Sequence, residues 1–216
     1  MMTSLFSSFD PMSKFIQMNW MFMLTPMILL PMNFWMKNSR WNKTKNMLEN
    51  KISEEMKNNT KHNEMIMLSS SLLTMILINN MVGLLPYTFT PTSHLSVSLT
   101  ITLPMWLTLM IYGWTKFTNK MFLHLLPSGT PSPIMPMMIL IETTGNLIRP
   151  ISLSVRLTAN MIAGHLLMTL LGDMNESLFM LTLPMKMFMM TFETAISLIQ
   201  SYVFATLISL YSSEIP

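Results

Sequence analysis

The sequence contains no cysteine, only six glycines and few charged residues. Without cysteine, the 216-residue chain can form neither a disulfide bond nor a thiolate metal site. None of its glycines stands in a phosphate-loop pattern, which argues against nucleotide binding by this chain. Charged residues make up 11% of the chain, against about a quarter in soluble domains, and half of the residues are apolar. This composition indicates an integral membrane protein.

Charge-free runs divide the chain into the spans of a single integral membrane domain, residues 1–216. The first run, 15–36, is long enough for one membrane helix of about 20 residues. The basic stretch 37–63 is polar enough to lie outside the bilayer, partly as an interfacial helix. Residues 65–115 contain no Asp, Glu, Lys or Arg, and the proline-rich break at 86–93 predicts a helical hairpin.

Two further predicted helices, 134–172 and 178–211, are longer than a bilayer is thick. At 1.5 Å per residue they would extend roughly 58 and 50 Å. Since the hydrocarbon layer is about 30 Å thick, both helices should be strongly tilted. The predicted fold class is therefore all-α, a polytopic membrane protein with about five membrane helices.

Basic residues are distributed unevenly between the predicted loops. The loops at 37–63 and 116–133 contain nine of the thirteen Lys and Arg residues, whereas those at 86–95 and 173–177 contain none. A basic cluster also suits nucleic-acid or lipid-surface binding, but beside membrane spans it favours orientation by the positive-inside rule. We therefore expect the N-terminus outside, the C-terminus inside, and no nucleic-acid partner.

Polar residues form stripes on the two long helices. At about 100° per residue, a band roughly 120° wide on the first helix holds Glu142, Gly145, Asn146, Arg149, Ser152, Arg156 and Asn160. The last helix repeats polar residues every seven positions at Lys186, Glu193 and Gln200, with Ser197 between the last two. For Asn146, Ser152, Ser197 and Gln200 individually, hydrogen bonding that holds helices together is the favoured interpretation.

Arg156 is the strongest indication of function. A guanidinium cannot lose its proton, and at the centre of a membrane helix it costs roughly 2.5–3.5 kcal/mol on insertion scales. Ionisable residues at this depth usually mark an ion or proton path, and the carboxylates of Glu142 and Glu193 can accept and release protons. Proton carriers on either side of a fixed cation would form two paths separated by a barrier.

Two histidines need separate interpretation. His165 follows Arg156 by nine residues and points about 180° away from it, toward different surroundings. It is either a structural imidazole or a proton relay, and the sequence leaves both open. His94 lies near a predicted loop, where a surface position is expected.

Three segments resemble subunit a of the mitochondrial ATP synthase, namely 80–96, 154–167 and 192–204. The Arg-Leu-Thr-Ala-Asn motif at 156–160 and the later Glu193 and Gln200 are the most specific features. The resemblance implies a stator beside a rotating ring of subunit c, in which Arg156 faces the ring carboxylate and separates two offset half-channels.

The same resemblance implies roles for the other site residues. His165 and Glu193 would belong to the proton uptake path and Glu142 to the release path, while Asn160 and Gln200 are polar neighbours of Arg156. Asn146 and Ser197 are grouped with these neighbours because they share the polar stripes. The chain would need no cofactor and would have no catalytic site of its own.

The resemblance also implies partners and a location. The partners would be the subunit c ring, peripheral-stalk subunit b, small membrane subunits, the lipid bilayer and transported protons. The absence of an Arg-rich targeting pattern and the 29 methionines resemble an organelle-encoded chain of the mitochondrial inner membrane, with the C-terminus in the matrix. A secondary transporter or proton-pumping respiratory subunit, which would favour internal repeats, and a purely structural membrane subunit stay as alternatives.

Overall fold

A computed structural model describes residue 6 and residues 9–12, 18–30, 39–60, 63–85, 88–126, 131–172 and 179–214. The described residues are predominantly helical and include no β-strand. In chain order the α-helices are α1 (Thr25–Leu29), α2 (Arg40–Asn59), α3 (Asn63–Gly83), α4 (Leu95–Lys116), α5 (Thr118–His124), α6 (Met135–Gly172) and α7 (Phe179–Glu214). Four of them, α3, α4, α6 and α7, are long and apolar enough to cross a membrane. The prediction of an all-α, polytopic membrane protein is confirmed.

The first predicted span, 15–36, is described only in part. A 3-10 helix, Met18–Leu24, leads directly into α1, where Pro26 occupies the first turn. Proline is well tolerated there because its missing N–H would have no partner within the helix. The apolar segment Met18–Leu29 is shorter than a membrane span, so the described residues contain four spans against about five expected.

The basic stretch expected at 37–63 contains helix α2. Ser39 caps the helix, because its side chain accepts a hydrogen bond of 3.2 Å from the backbone N–H of Asn42. Met56 is buried against α3 and α7, and this contact anchors one end of the polar helix to the bundle. The loop expected at 116–133 also contains a short helix, α5.

Helices α6 and α7 contain 38 and 36 residues, which correspond to roughly 57 and 54 Å. Both exceed the hydrocarbon thickness of about 30 Å, in agreement with the predicted long, tilted helices. Pro150 lies within α6 and Pro184 within α7, and each helix continues through its proline.

The two helices of the predicted hairpin pack against different partners. α3 packs mainly on α7, and α4 packs mainly on α6. In the connection between them, the Thr88 hydroxyl lies 2.9 Å from the Val82 carbonyl oxygen and 2.7 Å from that of Leu85, and so supports the end of α3. The resulting bundle places α6 and α7 between α3 and α4.

Candidate functional site

Helices α6 and α7 run antiparallel and bring their polar stripes together. Arg149 of α6 forms an ion pair with Glu214 in the last turn of α7. Three turns further along α6, the Asn160 amide donates a 3.0 Å hydrogen bond to the Gln200 side-chain oxygen. The Asn160–Gln200 hydrogen bond joins the two polar stripes directly.

A cavity of about 140 Å³ lies among α3, α6 and α7 beside the Asn160–Gln200 hydrogen bond. We call it the Glu193 cavity, and its polar lining comprises Asn80, Asn160, Glu193, Ser197 and Gln200. Glu193 is only 8% exposed, and within the described residues its Oε1 has no hydrogen-bond partner. Because a buried polar atom without a partner is costly, the cavity is suited to hold water molecules beside this carboxyl group.

Gly164 allows α6 to approach the Glu193 carboxyl group closely. A β-carbon on Gly164 would lie 3.1 Å from the carboxyl carbon of Glu193 and 3.2 Å from its Oε1. These distances are shorter than ordinary van der Waals contact, so a larger residue would displace Glu193. The absence of a side chain at Gly164 therefore leaves room for the carboxyl group at its present position.

Asn80 is a site residue that the sequence analysis did not single out. It is fully buried on α3, and neither its amide nitrogen nor its amide oxygen has a partner among the described residues. The sequence feature that could have indicated this site residue is the adjacent pair of amides, Asn79 and Asn80, near the end of a predominantly apolar span. Asn79 is different, because its side-chain oxygen accepts a hydrogen bond of 3.1 Å from Thr25.

A second cavity, of about 290 Å³, lies near the start of α6 and the end of α7. We call it the Glu142 cavity, and its polar lining includes Glu142, Asn146, Arg149, Ser213 and Glu214. A carboxylate oxygen of Glu142 lies 3.8 Å from a guanidinium nitrogen of Arg149. The cavity brings together the predicted residues Glu142 and Asn146 and adds Glu214, which the sequence analysis did not include.

An apolar layer separates the two cavities along both long helices. It is formed by the buried side chains of Ile76, Leu109, Leu153, Leu157, Phe204 and Ile208. Along α6, polar residues of the Glu142 cavity come first, then the apolar layer and then a polar residue of the Glu193 cavity. The antiparallel α7 has the same three zones in the reverse chain order. The two cavities are therefore distinct spaces, with packed side chains between them.

Arg156 lies beside the buried side of α6 that contributes to the apolar layer. Its side chain is exposed, whereas Leu153 and Leu157, about 60° and 100° around the helix from it, are buried. Arg156 makes no hydrogen bond or ion pair with any residue that the structure describes. Its charge is thus unpaired within a helix long and apolar enough to span a membrane.

His165 occupies different surroundings from Glu193. It does not line the Glu193 cavity, and its ring instead packs edge-on against Phe9 with 5.9 Å between the ring centroids. Its Nε2 is buried without a partner in the described part of the chain. His94 is half-buried rather than at the surface, because its ring packs on Phe89 and its Nε2 lies 3.1 Å from the Phe9 carbonyl oxygen.

Comparison with known proteins identifies the family. The sequence model of the ATP synthase A chain family matches residues 16–213. Proteins named ATP synthase subunit a are similar over their whole length, with the whole of this chain covered. Those of Drosophila mauritiana and Drosophila melanogaster are each 46% identical, over 225 and 223 residues, and that of Locusta migratoria is 45% identical over 225 residues.

These matches confirm the resemblance carried by segments 80–96, 154–167 and 192–204. They agree with the apolar, multi-span fold. The chain belongs to the ATP synthase A chain family and is a multi-pass membrane subunit of the F0 sector, which serves ATP synthesis and proton transport and assembles with other F0 subunits.

Proposed function

We propose that this chain is the proton-conducting stator of a rotary ATP synthase, that it offers two offset half-channels to a ring of subunit c, and that Arg156 separates them. The Glu193 cavity belongs to the uptake half-channel and the Glu142 cavity to the release half-channel. A carboxylate of the ring collects its proton on one side of Arg156 and releases it on the other.

The observation that carries this proposal is the unpaired, exposed guanidinium of Arg156. Within a lipid environment a fixed charge needs a counter-ion, and no described residue of the chain supplies one. Ala159 and Ala163 are exposed on neighbouring turns of α6, and their small side chains allow another helix to approach. A carboxylate on a partner helix fits both features.

The path of each proton follows from the positions of the two cavities. A proton enters the Glu193 cavity from the outer side, and an ionised ring carboxylate near Arg156 accepts it and becomes neutral. The neutral carboxyl group can then move through lipid, whereas an ionised one is held near the guanidinium. After rotation, the carboxyl group loses its proton into the Glu142 cavity, and its charge is restored.

The driving force comes from the membrane potential and the proton gradient. One elementary charge that crosses the membrane gains roughly 2.3 kcal/mol per 100 mV, so several protons must cross for each ATP. The apolar layer supports this mechanism because it prevents protons from passing directly between the cavities without the ring. His165 lies near the end of α6 that would face outward, where it would take part in uptake beyond Glu193.

We place the subunit in the mitochondrial inner membrane with its N-terminus outside and its C-terminus in the matrix. The basic residues of α2 and the loop after α4 support this orientation by the positive-inside rule. Subunit b of the peripheral stalk and small membrane subunits would complete its set of protein partners.

The test is proton flux and ATP synthesis in vesicles that contain the assembled complex with Arg156→Ala. We expect coupled ATP synthesis to fall by at least about tenfold, which corresponds to about 1.4 kcal/mol in barrier height, while the amount of assembled complex is retained. Val155→Ala, which changes an exposed apolar neighbour on the same helix, is the matched control and should remain coupled.

The alternative is a structural subunit whose polar residues only hold helices together. Under that alternative, Arg156→Ala would lower the amount of assembled complex, and the complexes that form would remain fully coupled. That result would refute the assignment of Arg156 as the barrier.

A further inference from the structure

Arg149 connects two carboxylates that line the Glu142 cavity. One of its guanidinium nitrogens pairs with Glu214, and the other lies 3.8 Å from Glu142 Oε1. The guanidinium also lies over the ring of Tyr211, with 5.0 Å between its central carbon and the ring centroid. Arg149 is thus held by groups from both α6 and α7.

The positions of these residues bring them together where the early part of α6 packs against the end of α7. Glu142 and Arg149 lie two turns apart on the same side of α6, and Glu214 lies in the last turn of α7. The carboxylates are 45% and 55% exposed, whereas Arg149 is 28% exposed. All three side chains line the Glu142 cavity, and the two carboxylates are the more exposed of them.

We propose that Arg149 is a positioning residue for proton release, because it fixes the Glu142 carboxylate in the wall of the Glu142 cavity. This inference rests on the proposed function, in which that cavity is the release half-channel. A guanidinium can serve two carboxylates at once, since it is planar and carries five donors. Glu214 orients the guanidinium, and the guanidinium in turn orients Glu142.

The charges of this cluster are compatible with proton transfer. Two carboxylates and one guanidinium give a formal charge of −1 at neutral pH. The cluster therefore remains attractive to protons although it contains a cation. Arg156 differs in this respect, because it has no carboxylate beside it among the described residues and therefore repels protons.

The test is a double-mutant cycle on proton flux, normalised to the amount of assembled complex. The variants are Glu142→Gln, Arg149→Met and their combination, and methionine keeps an unbranched apolar side chain at position 149. We expect Arg149→Met to lower flux about fivefold in the parent chain and less than about twofold in the Glu142→Gln chain. A purely structural contact would lower flux by the same factor in both backgrounds, and that result would overturn the proposal.

Arg149→Lys provides a second variant for the cycle if Arg149→Met does not assemble. An ammonium group cannot hold two carboxylates in one plane, so we expect Arg149→Lys to retain only part of the parent flux. In the Glu142→Gln chain, Arg149→Lys should cause no further loss of flux. Full proton flux in Arg149→Lys would overturn the proposal that the planar guanidinium positions the two carboxylates.

The outcomes also separate this inference from the proposed function. Coupled ATP synthesis in Arg156→Ala would refute the proposed function, whatever the cycle shows. Additive effects at Glu142 and Arg149, together with loss of coupling in Arg156→Ala, would refute only the positioning role. Unchanged flux in Glu142→Gln would refute the positioning role and the use of Glu142 in release.

Discussion

At Gly164, a single hydrogen atom leaves room for the carboxyl group of Glu193. The nearest atoms of the Glu193 side chain would lie 3.1 to 3.3 Å from a β-carbon at this position, and the Glu193 side chain is buried. Gly164 thus leaves space for a buried carboxyl group, which carries protons under the proposed function.

We expect Gly164→Ala to lower proton flux about tenfold because the methyl group displaces the Glu193 carboxyl group. Helix stability should not fall, since alanine favours a helix over glycine by up to about 1 kcal/mol. Flux and the amount of assembled complex in vesicles are the measurements. Gly172→Ala is the matched control, because a β-carbon there has no neighbour within 4 Å. Equal flux in both variants would show that Glu193 tolerates displacement.

Charged residues were predictable from the sequence, but their pairing was not. Arg156, Glu142 and Glu193 stand out because each interrupts an apolar run. Asn80 was missed because an uncharged amide in such a run does not reveal whether it is paired or faces a cavity. The partner of Arg149 was missed because Glu214 lies at the far end of α7, and only the antiparallel packing brings the two together.

At the scale of helices, the apolar layer determines whether the two cavities stay separate. Phe204 is 1% exposed and is among the largest fully buried side chains among the described residues. It packs with Leu153 and Leu157 of α6 across the helix interface. Its removal would open space between the Glu193 cavity and the Glu142 cavity.

We expect Phe204→Ala to produce a proton leak that does not require ATP turnover. In soluble cores such a truncation costs roughly 3–5 kcal/mol, so a moderate loss of assembled complex is also expected. Passive proton permeability per assembled complex measures the leak. Phe188→Ala, which changes a phenylalanine with 64% exposure, is the control and should not leak. A Phe204→Ala complex that does not leak protons would show that the apolar layer is not the barrier to protons between the cavities.

The lengths of helices were more predictable than their partners. Runs without charge predicted 134–172 and 178–211, and the observed helices are Met135–Gly172 and Phe179–Glu214. The apolar residues of α3 and α4 are spread around each helix, so their sequences do not indicate which surface packs against protein and which faces lipid. For this reason the sequence could not predict that α3 packs on α7 and α4 on α6.

For the chain as a whole, the distribution of basic residues is the feature on which the proposed orientation rests. Seven of the thirteen Lys and Arg residues lie between Lys37 and Lys61, in and around α2. Insertion of a membrane protein responds to such short basic segments. The proposed orientation therefore depends on the charge pattern rather than on any single contact.

We expect a cysteine at exposed Asn58 of α2 to react with a membrane-impermeant thiol reagent only from the matrix side. A cysteine at exposed Ser96, in the first turn of α4, should react only from the outer side. The chain has no cysteine of its own, so each label reports one position. Labelling of intact mitoplasts and of inverted membrane particles provides the comparison, and the opposite pattern would reverse the proposed topology.

The unpaired charge of Arg156 also has a consequence for biogenesis. An orphan subunit would expose this guanidinium to lipid, at a cost of roughly 2.5–3.5 kcal/mol, or about a hundredfold in an equilibrium constant. Under the proposed function, the ring carboxylate removes this cost on association. The ring would then act as a folding partner as well as a rotor, and copies of the subunit that never meet it would be the preferred substrates of membrane quality-control proteases.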